Sequence, residues 1–173
     1  MAGLSQVHAD FSDIEDRILL RLNTTAKEEF RFWLTRRFLK RLFPVMERNF
    51  ESIPEIASQS TADNRHAVMQ FQRQEIAQRT DFSTPFEKQA AAYPLGKRAI
   101  VVSQAKLVPT PDGQFQLALK DEHNRGIDVT FDSEVLYLLQ SLLYEALQKT
   151  DWDLLLEPLV PVVSMPQESR ILN

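Results

Sequence analysis

Seven residues combine a side chain and a spacing suited to molecular recognition: Arg31, Trp33, Arg36, Arg37, Lys40, Arg41 and Trp152. Six of them stand in one run, Phe30-Arg31-Phe32-Trp33-Leu34-Thr35-Arg36-Arg37-Phe38-Leu39-Lys40-Arg41-Leu42-Phe43. Trp and Arg are among the residue types that dominate binding hot spots. The chemistry they imply is the docking of a protein surface, with either a second copy of the chain or a separate protein as partner. The same Arg and Lys side chains also suit nucleic-acid phosphates, and binding of that kind would weaken with salt. Two readings need no macromolecular partner: a central core helix whose long cations reach out at its edges, and a helix lying on a membrane surface. Trp152 belongs to the acidic, leucine-rich text Asp151-Trp152-Asp153-Leu154-Leu155-Leu156. It serves either as a docking element or as a pin holding the last helix to the core.

Bond-making chemistry has little vocabulary here. Cys is absent, Gly is limited to 4 residues, and the His residues are His8, His66 and His123. Thiolate catalysis, thiolate metal sites and disulfides are thereby excluded, and glycine-rich phosphate loops are disfavoured. His123 has Asp121, Glu122 and Asp128 nearby, but the spacing matches no metal motif. The acidic pairs Asp10/Asp13, Glu15/Asp16, Glu28/Glu29, Asp121/Glu122 and Asp151/Asp153 stand at expected turns, caps and ends. Acid–base work instead needs two carboxylates in unlike environments across a pocket. The expectation is therefore no catalytic residue, no cofactor and no metal ligand. The function expected is a non-catalytic interaction module: an adaptor, chaperone-like partner or regulatory subunit. A nucleic-acid-binding protein is the first alternative, and an enzyme with a dispersed site is the second.

The net charge of −4 averages two unlike regions. From Lys27 to Arg48 there are seven basic residues and three acidic ones; from Asp132 onward there are seven acidic and two basic. No apolar run approaches the ~18–20 residues needed to span a bilayer, and the first residues lack a secretory pattern. A cytoplasmic location is the corresponding expectation.

The elements that must position these residues follow from periodicity. Residues 1–15 are polar with scattered apolar side chains and are expected to form a flexible arm. Residues 17–22 read as a strand with Ile18, Leu20 and Leu22 on one face. Thr25 and Glu28 have capping-box spacing, predicting a long basic helix over residues 26–49 in which Pro44 kinks or breaks the helix near Lys40–Phe43. A loop spans residues 53–63. A second helix is expected over 64–79, capped by Thr61 or Asn64, with Ala67, Val68, Phe71 and Ile76 inward. Residues 80–96 are mostly connection, with a short helix over 85–92. Strands at 98–107, 114–120 and 127–131 follow, joined by Pro109-Thr110-Pro111-Asp112-Gly113 and by a second polar turn. A final helix runs to about Thr150 behind Asp132 or Ser133.

The order β-α-α-β-β-β-α predicts an α+β fold in two layers. Its single four-stranded, mainly antiparallel sheet carries helices on one face. The domain is expected to span residues 16–156, and residues 157–173 form a Pro-rich apolar tail. The outward sheet positions, Arg17, Arg21, Gln104, Lys106, Gln114, Gln116, Lys120, Asp128 and Thr130, include no aromatic residue, so no base-stacking platform is expected there. The basic helix and the acidic last helix are expected to approach one another or to meet across a dimer.

Overall fold

The computed structural model describes residues 3–79, 86 and 90–154. Among them the chain is mixed α+β with two sheets and four helices rather than one sheet. The first sheet has the order β1-β2-β3-β4, with β1 at Leu4–Ser12, β2 at Arg17–Thr24, β3 at Glu29–Leu34 and β4 at Ile100–Val101. Its first three strands are antiparallel, but β4 runs parallel to β3, so the sheet is mixed. The second sheet is an antiparallel meander of β5 (Gln104–Pro109), β6 (Phe115–Lys120) and β7 (Gly126–Phe131). The helices are α1 (Arg36–Phe50), α2 (Pro54–Ala57), α3 (Ala62–Arg79) and α4 (Ser133–Gln148).

Three expectations are corrected. The first residues are a strand, not an arm: β1 pairs with β2 along its length, with Val7 opposite Leu22 and Phe11 opposite Ile18. Its weak alternation suffices because a hairpin partner supplies the ladder and Ala9 meets the core. The long basic helix is half strand. Residues 24–28 form a turn in which Thr24 and Glu28 bond each other and Lys27 takes a positive φ of 59°. Phe30, Phe32 and Leu34 then alternate into the core, a period-2 pattern suited to aromatic side chains. The helix starts only at Thr35, whose hydroxyl accepts the Phe38 N–H. It runs on through Pro44, which is exposed and leaves the Lys40 carbonyl without its helical donor, so the expected break is absent. Finally, residues 98–107 are not one strand. The chain leaves the first sheet after Val101 and enters the second at Gln104.

Other elements agree with the text. The β5–β6 turn closes through Thr110 and Gln114, with Gly113 at φ 78°. At the next turn, Asp121 accepts the His123 and Arg125 N–H groups. A Cβ on Gly126 would run into the Leu119 carbonyl, so the start of β7 requires glycine. Thr61 caps α3 by accepting from Asn64, and Asp132 caps α4 by accepting from Val135. The buried stripe of α3 is Met69, Arg73 and Ile76, whereas Phe71, expected inward, is exposed. Of the expected helix over 85–92, residues 85 and 87–89 lie outside the described residues; residues 86 and 90–92 are not helical, and Ala92 bridges Glu28 in parallel. The tail at 157–173 lies wholly outside them.

The core is one cluster. It joins Ile18, Leu20, Leu22, Phe32 and Leu34 of the first sheet to Leu117, Leu119 and Phe131 of the second. Leu39, Phe43, Met46 and Phe50 of α1 and Leu136, Leu139 and Leu143 of α4 complete it. α4 packs on β1 and β2, while α1 lies against β5. Helix α1 thus spans from the end of the first sheet to the edge of the second.

Candidate functional site

The two halves of α1 have different surroundings. In its C-terminal half, Glu47 and Phe50 are engaged by α3 and α4. Glu47 Oε1 accepts from Arg73 Nη2 at 2.8 Å and from Gln140 Nε2 at 2.6 Å, and its Oε2 accepts from Arg73 at 2.9 Å. Arg73 is 6% exposed and lies over the Phe50 ring at 5.1 Å. Phe50 stacks on Tyr137 at 4.3 Å, and the Tyr137 hydroxyl donates to Gln72. Burial pushes the Tyr137 hydroxyl well above the usual phenol range. One carboxylate therefore ties α1, α3 and α4 together.

The N-terminal half is the reverse. Arg36, Arg37, Lys40 and Arg41 are all exposed. Arg36 donates to the Asp153 carbonyl at 3.2 Å. Among the described residues Arg37, Lys40 and Arg41 have no hydrogen-bond or ion-pair partner. The first turn of α1 contains no acidic residue, so Arg36 and Arg37 add to the positive end of the helix dipole. Beside them lies an open groove of about 310 Å³ between α1 and the chain linking the two sheets. Phe38, Leu42, Val45 and Val102 supply apolar lining, Arg37 and Arg41 the charge, and Thr35 and Ser103 hydroxyls. This is the candidate site: a partly apolar slot under a cationic helix face.

The seven recognition candidates are not brought together. Arg37 and Arg41 line the groove, and Lys40 and Arg36 stand on the adjoining helix face. Arg31 and Trp33 lie on β3, on the sheet face opposite Phe32. Arg31 is used within the chain: its Nε donates to Glu29 at 2.7 Å, its Nη1 donates to the Lys97 carbonyl, and it faces the Tyr93 ring. The Glu29 hydrogen bond raises its pKa above the usual guanidinium value. Trp33 is half-buried in a row with Leu19 and Val101 across three strands, so this sheet face does carry an aromatic residue. Trp152 donates its indole N–H to Asp16 at 2.6 Å and meets Phe11 edge-on, pinning the chain after α4 to the β1–β2 hairpin. Among the described residues, α1 and α4 meet through the Phe50–Tyr137 stack and the Glu47–Gln140 bond, and Arg36 reaches the Asp153 carbonyl beyond α4.

The groove's second wall, Val102, Ser103 and Ala105, is absent from the sequence expectation. One signal for it exists: Ile100-Val101-Val102 is an unbroken apolar run, which does not alternate as a half-buried strand should. Among the described residues no cluster of three His, Asp or Glu side chains stands where it would hold a metal, and no helix is long and apolar enough to cross a membrane. His123 and His66 are exposed. Comparison with protein-family models, curated proteins and solved structures gives no match.

Proposed function

We propose that this protein is a non-catalytic interaction module that docks an acidic, apolar-studded segment of a protein partner in the α1 groove. One observation carries the reading. Arg37, Lys40 and Arg41 are solvated and unpaired among the described residues, and two of them flank a groove with apolar lining. Placing cations at the positive end of a helix costs stability. An anionic partner offsets that cost, and the apolar lining adds burial. The complementary charge also steers encounter and excludes basic partners.

The test is site-directed photocrosslinking in the host, with the crosslinking side chain at Val45 and, as control, at Phe71 on the exposed face of α3. A single protein species trapped at Val45, absent at Phe71 and lost in Arg37→Glu/Arg41→Glu, is the expected result. Equal trapping at both positions overturns the reading. Trapping of the chain itself, with a doubled mass by light scattering, replaces the separate partner with a homodimer. Binding of an RNA or DNA oligomer that weakens steeply with salt replaces it with a nucleic acid.

A further inference from the structure

We infer that the chain's own residues 155–163 dock in the α1 groove and compete with the partner, an inference that rests on the docking role proposed above. The described chain beyond α4 runs to Leu154, whose preceding carbonyl, that of Asp153, is held by Arg36 Nη2 at 3.2 Å. Leu154 is packed against the core cluster, and Trp152 is pinned by Asp16 and Phe11. Residues 155–163 therefore start from a fixed point on α1 itself.

Their path to the groove crosses only cations. On a helical wheel Arg36 marks one flank of the exposed face, Lys40 and Arg37 lie in the middle, and Arg41 marks the flank at the groove. A helix with side chains is about 10–12 Å across, and three extended residues reach about 10 Å. Four, residues 155–158, reach about 13–14 Å and cover that width. That brings Glu157 to Arg37 and Arg41, and it offers Leu159, Val160, Val162 and Val163 to Phe38, Leu42, Val45 and Val102. Pro158 and Pro161 lower the entropy lost when such a segment is ordered. With the anchor at Arg36, docking is intramolecular at an effective concentration on the order of millimolar. A partner must exceed that competition to enter.

The full chain contains no cysteine, so one nitroxide on Ser164→Cys reports the segment's position without a background label. The expected result is stronger paramagnetic broadening of the Leu42, Val45 and Val102 methyl signals than of Val129, which lies two strands from β5 in the second sheet. Arg37→Glu/Arg41→Glu in the same labelled chain should abolish it. Groove methyls broadened no more than Val129, or broadening indifferent to the charge reversal, overturns the inference. Mixing spin-labelled chains with isotope-labelled, unlabelled-spin chains separates the sources. Broadening that persists fully in that mixture comes from a second copy and also overturns docking within one chain. No partner is present in this measurement, so failed crosslinking at Val45 with broadening intact removes the partner alone, and the converse removes the tethered segment alone.

Discussion

Within one helix, residues 36–41 and residues 46–50 teach opposite lessons about charge. Glu47 is 43% exposed at its side chain, yet both its oxygens are committed to Arg73, and Gln140 completes the set. Earlier in the same helix the chain presents Lys40 and Pro44 to water, and Arg37 and Arg41 have no hydrogen-bond or ion-pair partner among the described residues. The first set organises the molecule, because a buried guanidinium without its carboxylate is costly. The second set makes no hydrogen bond or ion pair with a described residue, and its cations stay solvated. Removing residues from each half should separate stability from binding.

The largest effect is expected at Phe50, which is fully buried and stacked on Tyr137. Phe50→Ala should cost about 3–5 kcal/mol in urea unfolding. Retention of wild-type stability would show that the three-helix junction is not the anchor described. Next comes Glu47→Ala, which leaves Arg73 buried and unpaired; because the carboxylate is partly solvated, the loss should be about 1–3 kcal/mol. Adding Arg73→Met should recover much of it, since an apolar side chain leaves no charge to satisfy. A double variant as unstable as Glu47→Ala alone would break the distinction between the two halves.

In the other half the sign reverses. Arg37→Glu places an acid at the positive end of α1 and should raise stability by about 0.3–1 kcal/mol by thermal or urea unfolding. The same variant should weaken docking in the groove. A destabilised Arg37→Glu would mean that this guanidinium has a structural partner after all.

The smallest effect belongs to neither half. His8 on β1 lies 5.6 Å from the Phe86 ring, and burial, assisted by Arg21, holds its pKa below the usual 6.5. Its neutral form is favoured in the folded state. The resulting stability is present above pH 6.5 and is lost as the pH falls from there toward the lower folded value. Unfolding measured between pH 7.5 and 5.5 should show this loss, and His8→Gln should flatten it. An unchanged slope in His8→Gln would place the acid sensitivity elsewhere.

Legibility in the sequence followed locality. Gly113 and the Asp121 turn mark hairpins because turn geometry depends on a few adjacent residues. The Leu-rich stripe of α4 is as readable, since a helix needs only its own periodicity. Residues 29–34 were ambiguous: Phe30, Trp33 and Leu34 fit a helix face, while Phe30, Phe32 and Leu34 fit a strand. Pairing with β2 decided between them, and that information is not local. Arg73 was unreadable as a core residue because an arginine is buried only when distant partners, here Glu47 and Phe50, satisfy it.

By itself, then, the sequence determined an α+β chain with a cationic, aromatic segment, an acidic end and little catalytic vocabulary. Composition, turn chemistry and side-chain period are properties of neighbouring residues. Only the tertiary structure decided that β4 and β5 belong to different sheets, that Arg31 is consumed by Glu29, and that Arg37 and Arg41 border a groove. Each of these depends on which remote segment satisfies a given hydrogen bond, charge or apolar face, and that choice is made by packing the whole chain.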